Sequence, residues 1–172
     1  STQYASSAAS DVYKRQSLDS ALKFCKKHKL PFIHPFDDPE VISGQGTIGK
    51  EIIEDFQEKI DVIFVAVGGG GLISGLGAYI KSFNPKIKIV AVEAEDAAGL
   101  YKSLEIGKRI KLDKVGLFAD GAAAKQIGLN NYQLIKEWLD DSITVSTDEI
   151  CAAVKDTFAE TRTVPEPTGA LA

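Results

Sequence analysis

The segment DVIFVAVGGGGL, residues 61–72, decides the fold of this chain. After Asp61 it continues with six apolar residues, most of them β-branched. Such a run predicts a strand buried on both faces of a parallel sheet. Four glycines follow at residues 68–71, and a helical pattern then spans residues 72–83. The glycines therefore connect a buried strand directly to a helix.

Helical and extended patterns alternate through the rest of the chain. Apolar spacing predicts strands at residues 87–92 and 142–145, and helices near residues 17–29, 48–56, 97–104 and 131–139. Ser146 and Glu149 have the spacing of a capping box, so a further helix is expected to begin there. This alternation is typical of right-handed βαβ crossovers. The predicted fold class is α/β, an open, mostly parallel sheet in three αβα layers.

The composition argues against two classes of protein. Of the 172 residues, 44% are hydrophobic and 26% are charged, as in an ordinary globular domain. No apolar run approaches the ~20 residues of a membrane-spanning helix. The formal net charge is −4 without a dense basic cluster, so nucleic-acid binding is not expected. Cys25 and Cys151 lack metal-site spacing, and we interpret both as buried thiols of a reducing compartment.

The two ends of the chain suggest a domain boundary and a cut. Residues 1–16 are small and polar without a period, and they are expected to be a disordered tail or a sequence artefact. The chain contains no methionine, and its last residues are apolar. We therefore expect residues 17–172 to be one α/β domain that is truncated at both ends.

The glycine run is the feature that points to a ligand. Glycine tolerates positive φ, and successive backbone N–H groups at a helix N-terminus bind anions, most often phosphate. The alternative is a tight turn, but one or two glycines would suffice for that. A Cβ added at Gly70 is expected to intrude where the phosphate would lie.

Two familiar phosphate motifs fit poorly. A P-loop needs Lys and Ser or Thr after its last glycine, and Leu72-Ile73 stands there instead. The segment GQGTIG, residues 44–49, matches G-x-G-x-x-G but follows no strand, so a dinucleotide site is disfavoured. We interpret these glycines as easing the start of a helix.

From residue 17 onward the chain resembles the biosynthetic threonine dehydratases (threonine ammonia-lyases), pyridoxal-phosphate enzymes of the tryptophan-synthase-β fold type. Several motifs carry the resemblance, in this order: PFD (35–37), GQGT (44–47), VGGGGL (67–72), AVEAED (91–96), VGLFADG (115–121) and EPTG (166–169). The glycine loop is common to the superfamily. The AVEAED and VGLFADG stretches favour the biosynthetic branch.

The resemblance implies the cofactor pyridoxal 5′-phosphate and the deamination of L-threonine to 2-oxobutanoate and ammonia, a step of isoleucine biosynthesis. The family's phosphate loop corresponds here to Gly68, Gly69, Gly70, Gly71 and Leu72. The family's Ala-Asp-Gly turn and Glu-Pro-Ser/Thr-Gly motif lie near the cofactor ring. Gly121 and Glu166 are therefore further cofactor-binding candidates. Read without the resemblance, Glu166 is an ordinary carboxylate before a helix.

The chain departs from the family pattern at two points. The family's Schiff-base lysine lies in a Ser-Phe-Lys-x-Arg-Gly motif, and no lysine of this chain has those neighbours, so no catalytic residue is assigned. Related racemases and dehydratases hold a divalent ion with a Glu, a carbonyl and an Asp. Glu93 and Ala97 match that set, but Gly99 replaces the Asp, so no metal is expected.

Two alternatives remain beside the threonine dehydratase. One is a serine dehydratase or racemase of the same superfamily, and the other is a non-catalytic anion-binding α/β module. In each case the partner is a small molecule, an amino acid for the enzymes, with neither nucleic acid nor membrane expected. The resemblance further implies a homo-oligomeric full-length protein in the cytoplasm, or in the plastid stroma if the source is a plant.

Overall fold

The computed structural model describes residues 10–56 and 60–172, with side chains from residue 18 onward. The chain divides into two compact units, Ser1–His34 and Pro35–Ala172. In the first unit, helix α1 (Ser10–His28) ends with Lys26, Lys27 and His28, where the helix dipole favours cations. The backbone then turns at Lys29 with φ of 54°.

Helix α1 begins within the segment expected to be a tail. Its first residue is Ser10, whereas the sequence pattern predicts a start at Ser17. Residues 1–9 lie outside the described part of the chain. The division of the chain at residue 16 therefore stays a prediction.

The second unit alternates helices and strands. In chain order they are α2 (Pro39–Asp55), β1 (Val62–Ala66), α3 (Gly71–Phe83), β2 (Lys88–Ala94), α4 (Gly99–Ile106), α5 (Leu129–Trp138), β3 (Asp141–Val145) and α6 (Thr147–Thr161). The three strands form a parallel sheet in the order β1-β2-β3. Residues aligned across it include Ala66, Val92 and Ile143. The predicted parallel α/β architecture is confirmed.

Two apolar cores cover the two faces of the sheet. On one face, Val65 and Ala91 pack with Ile73 and Ile80 of α3 and with Ile135 of α5. On the other face, Val92 and Ala94 pack with Ile150 of α6. Successive side chains of a strand point to opposite faces, so neighbouring residues of β2 enter different cores. Helices therefore lie on both sides of the sheet, in three layers.

Strand β1 differs from its prediction. Its Val62 and Phe64 are 38% and 50% exposed, so this strand is not buried on both faces. The reason is its position at the edge of the described sheet, where the second core includes only Ala66 of this strand. Strand β2, by contrast, is buried from Ile89 to Ala94, as its apolar run predicts.

The glycines of residues 44–49 lie inside helix α2 rather than at its start, so that interpretation was wrong. The helix begins at Pro39, and the Asp38 side chain caps it by accepting a hydrogen bond from the Glu40 N–H. These glycines bring α2 close to α3: a Cβ on Gly46 would lie 3.3 Å from the carbonyl oxygen of Gly75. The close packing fixes α2 against the helix that follows the glycine loop.

Two smaller predictions have mixed outcomes. The capping box is confirmed, because Ser146 and Glu149 each bond to the other's backbone N–H at the start of α6. The cysteines are not buried thiols: Cys25 is half-buried and Cys151, in α6, is exposed. In the part of the chain that the structure describes, no helix combines the length and apolarity needed to cross a bilayer.

Candidate anion-binding site

The glycine loop lies where β1 ends and α3 begins. Gly71 is the first residue of α3 and Gly70 is its N-cap. Residues 68–72 line one wall of a cavity of about 510 Å³, beside Ala66 at the carboxyl end of β1. Ligands of open α/β sheets bind beyond the carboxyl ends of the strands, and this volume is typical of small-molecule sites.

The backbone N–H groups of this loop have no internal acceptor. Among the described residues, none accepts a hydrogen bond from the N–H of Gly69, Gly70, Gly71 or Leu72. The N–H groups of a helix's first turn lack intrahelical partners, and they carry the positive end of the helix dipole. The loop therefore presents several free donors to the cavity, an arrangement that suits an anion.

Packing behind the loop explains why its residues are glycines. Gly70 has φ of +93°, and a Cβ there would lie 2.9 Å from Ile127 Cδ1. A Cβ on Gly69 would overlap the ring of Phe36. The expectation that a Cβ at Gly70 intrudes into the phosphate space was therefore wrong: it would collide with side chains behind the loop and strain the backbone.

Two further segments line the cavity, Gly121 and Ala122 in one and residues 166–169 in the other. Gly121 lets the two segments approach, since a Cβ there would lie 2.9 Å from the Thr168 hydroxyl oxygen. That Oγ1 is inaccessible to solvent and has no hydrogen-bond partner in the described part of the chain. Buried hydroxyls are normally hydrogen-bonded, so one without a partner at a cavity wall is suited to a ligand.

All seven candidate residues predicted from the sequence line this one cavity. Glu166 is exposed at the N-cap of the short 3₁₀ turn Pro167–Ala170 and is the one charged side chain among the described lining residues. Donors for an anion are thus backbone N–H groups rather than lysine or arginine. The assignment of these residues to a cofactor stays a prediction.

Eight further lining residues had no role predicted from the sequence, among them Phe36, Gln45 and Thr168. These three lie in motifs that carry the family resemblance, at residues 35–37, 44–47 and 166–169. Those motifs were the available signal, but nothing local in the sequence indicates that they converge on the glycine loop.

Glu93, which matches the metal-binding carboxylate of related enzymes, is bonded to the start of helix α4. Its two carboxylate oxygens accept hydrogen bonds from the N–H groups of Leu100 (2.9 Å) and Tyr101 (2.6 Å) at the start of α4. Within the described residues, no group of three or more His, Cys, Asp or Glu side chains could hold a metal ion.

A profile of the "pyridoxal-phosphate dependent enzyme" family matches residues 6–172. The chain belongs to this family. The members of the family depend on pyridoxal phosphate, and the free donors of the glycine loop and the unpaired Thr168 hydroxyl fit a phosphorylated cofactor.

Individual relatives narrow the resemblance to the biosynthetic threonine dehydratases, as the motifs predicted. The biosynthetic L-threonine dehydratase of Burkholderia multivorans is 53% identical over 152 residues, which is 88% of this chain and 30% of that protein. The mitochondrial threonine dehydratase of Schizosaccharomyces pombe is 51% identical over 87% of this chain and 25% of its own length. The chain thus spans less than a third of these relatives.

Solved structures share the fold. Threonine deaminase isoform 2 of Solanum lycopersicum superposes with a TM-score of 0.86 at 43% identity, over 90% of this chain and 45% of that chain. Serine racemase of Dictyostelium discoideum has a TM-score of 0.81 at 36% identity, over 90% of this chain and 49% of its own. The predicted fold type of pyridoxal-phosphate enzymes is confirmed.

Proposed function

We propose that this chain is the phosphate-binding portion of a pyridoxal-phosphate-dependent enzyme that deaminates L-threonine to 2-oxobutanoate and ammonia. The observation that carries the proposal is the row of free N–H groups at residues 69–72, which faces a ligand-sized cavity in a member of this family. Relatives named threonine dehydratase at about half identity support the choice of substrate.

The chain's own residues would bind and orient the cofactor. The N–H groups of residues 69–72 would hold the phosphate oxygens, and the N-terminal end of α3 would stabilise their charge. Phe36 packs against Gly69 at the cavity, and the Thr168 hydroxyl, which has no partner among the described residues, would supply a polar contact beside Gly121. When bound, the pyridoxal group supplies an electron sink for the charge that develops at the amino acid Cα.

We propose that the lysine amine needed for the deamination lies outside the motifs that carry the family resemblance. Lysine does not occur among the described residues that line the cavity. Lys81, for example, is bound to Asp140 and to the carbonyl oxygen of Ile87, and Lys50 pairs with Glu54 on the surface of α2. These amines are held at other places in the fold.

A chimera tests the proposed activity. This chain would replace the matching 152-residue segment of the Burkholderia multivorans relative, and 2-oxobutanoate would be measured with L-threonine as substrate. We expect turnover, because the relative would supply the rest of its own active site. A folded chimera that binds pyridoxal 5′-phosphate but forms no 2-oxobutanoate would contradict the proposal.

The serine racemase likeness favours a second candidate, an enzyme of the same superfamily that acts on serine. The same chimera separates the two when L-serine is offered and pyruvate and D-serine are measured. A higher kcat/KM for L-threonine than for L-serine supports the first candidate. D-serine as the main product supports the second.

The proposal extends to the substrate, the assembly and the cellular compartment of the full-length enzyme. Its substrate is a free amino acid, and a homo-oligomer is the expected assembly of the full-length protein. Plant relatives are named chloroplastic and yeast relatives mitochondrial. For this chain we propose the cytoplasm, or the plastid stroma if the source is a plant.

A further inference from the structure

The side chain of Asn131 joins the glycine loop to a distant segment of the chain. The residue is fully buried in the first turn of α5. Its Nδ2 donates hydrogen bonds to the carbonyl oxygens of Gly69 (2.9 Å) and Phe36 (2.7 Å). These partners are 62 and 95 positions away in sequence, so the contacts exist only in the folded chain.

These two acceptors determine which way the amide faces. Rotating it by half a turn would place Oδ1 against two carbonyl oxygens. Oδ1 itself is buried without a hydrogen-bond partner in the described part of the chain. An unsatisfied buried acceptor is costly, so the position keeps Nδ2 on its two carbonyls at the expense of Oδ1.

The hydrogen bonds to Gly69 set the direction of the next N–H group. The Gly69 carbonyl also accepts a hydrogen bond from the Gly128 N–H at 3.0 Å. In a planar trans peptide the C=O and the following N–H point in opposite directions, and no cis bond occurs in the described chain. With the carbonyl held toward α5, the Gly70 N–H is directed away from α5.

We propose that Asn131 is a positioning residue that, together with Gly128, turns the Gly70 N–H toward a phosphate monoester in the cavity. This inference rests on the proposed function, because it presumes that the loop binds phosphate.

The neighbouring Asn130 provides a matched control. Its Nδ2 donates to the Asp37 carbonyl oxygen at 2.8 Å, so it also ties α5 to residues 36–37. No hydrogen bond joins it to the glycine loop in the described structure. A general loosening of residues 36–37 would affect both asparagine variants, whereas the orientation of the Gly69–Gly70 peptide depends on Asn131.

The experiment measures the affinity of the 172-residue chain for pyridoxine 5′-phosphate by calorimetry, with urea unfolding of each variant beside it. This ligand has no aldehyde, so surface lysines do not capture it covalently. Asn131→Ala is expected to weaken binding about tenfold. Without Asn131, the Gly70 N–H would lose its hydrogen bond to the charged phosphate, and about 1.4 kcal/mol corresponds to a tenfold change in Kd. Asn130→Ala should change it by less than about twofold, as is usual at exposed positions.

A conservative variant and the Gly70 amide resonance provide a test if Asn131→Ala does not fold. Asn131→Ser keeps one hydroxyl donor and should bind with intermediate affinity, with a shifted Gly70 amide resonance in the free protein. Equal affinity in the wild type and the Asn131 variants overturns this inference and leaves the proposed function standing.

If the wild type itself does not bind pyridoxine 5′-phosphate, the proposed function fails. The inference is then judged by the free protein alone. An unchanged Gly70 amide resonance in Asn131→Ser shows that Asn131 does not orient that peptide, which overturns its positioning role as well.

Discussion

A carboxylate oxygen of Glu93 lies 2.9 Å from the backbone nitrogen of Leu100, and the other oxygen is bonded to the next N–H of the same helix. Glu93 is 1% exposed at the end of β2, so a buried carboxyl group caps the start of α4. Burial raises the pKa of Glu93 from 4.5 to about 7, although the hydrogen bonds from α4 and the charge of Lys102 oppose the rise.

Glu93 should make the free energy of unfolding decrease as pH rises from about 4.5 to about 7. The unfolded chain releases this proton near pH 4.5 and the folded chain near pH 7, so the folded state binds more protons within that window. The decrease in unfolding free energy across this window is on the order of 3 kcal/mol. Urea unfolding of the wild type and Glu93→Gln at pH 5, 6, 7 and 8 measures it, and the variant should have the flatter profile.

Glu95→Gln is the control for that series. Glu95 is exposed and lies two residues further along the chain. Glu95→Gln should retain the wild-type decrease of the unfolding free energy between pH 5 and 7, because the buried Glu93 is still present. If Glu93→Gln retains the wild-type slope, the titrating group lies elsewhere.

Asp140 connects three parts of the fold. Its Oδ2 accepts hydrogen bonds from Lys81 Nζ (2.6 Å) and from the Ile89 N–H (2.7 Å), so α3, β2 and the end of α5 meet there. Burial alone would raise the pKa of Asp140, but the hydrogen bonds from Lys81 and Ile89 lower it overall. The stabilisation is therefore present above the carboxyl's unfolded pKa and is lost as pH falls through the lower folded pKa.

Asp140→Asn should destabilise the fold at pH 7, because it removes the charge that pairs with Lys81. The loss should be only about 1–2 kcal/mol, since the group is partly exposed and solvent screens part of its charge. Glu54→Gln removes the surface pair with Lys50 and should cost less than about 0.5 kcal/mol. Urea unfolding compares them. Equal losses in the two variants would show that Asp140 is an ordinary surface charge.

Two glycines within helices should respond to alanine in opposite directions. A Cβ on Gly75 in α3 would overlap the Ile42 carbonyl oxygen of α2, whereas a Cβ on Gly44 would meet nothing within 4 Å. Gly75→Ala should therefore cost about 1–3 kcal/mol through overpacking. Gly44→Ala should stabilise the fold by about 0.5–1 kcal/mol, because alanine favours a helix interior. Thermal unfolding of both variants measures the change in Tm. An increase in Tm for Gly75→Ala would contradict the close packing of α2 and α3.

The 172-residue chain alone is expected not to deaminate threonine. Described lysines are absent from the cavity lining, and Lys81 is engaged in hydrogen bonds elsewhere. Incubation with pyridoxal 5′-phosphate, borohydride reduction and peptide mapping should therefore give scattered, substoichiometric labelling, with no 2-oxobutanoate. One fully labelled lysine accompanied by turnover would mean that the chain carries its own catalytic amine.

The sequence predicts best what neighbouring residues determine. The capping box at Ser146 and Glu149, the buried strand β2 and the glycine loop between strand and helix are all local patterns. The start of α2 was also encoded locally, by Asp38 as N-cap and Pro39 as the first helical residue, but a proline after aspartate is equally typical of a turn.

The features that the sequence did not predict depend on contacts between residues far apart in the chain. The exposure of Phe64 depends on which helices cover the edge of the sheet. The hydrogen bond from Asn131 to Gly69 joins residues 62 positions apart. The direction of a Cβ at Gly70, toward Ile127 rather than the cavity, likewise follows from elements that meet only in the fold.

An NMR titration tests the central claim that the N–H groups of the glycine loop bind a phosphate monoester. The ¹⁵N-labelled chain is titrated with pyridoxine 5′-phosphate and, in parallel, with unphosphorylated pyridoxine. The largest amide shifts should fall on Gly69, Gly70, Gly71 and Leu72 with the phosphorylated ligand, and these shifts should be absent with pyridoxine. Largest shifts at other residues, or equal shifts with both ligands, would contradict the claim.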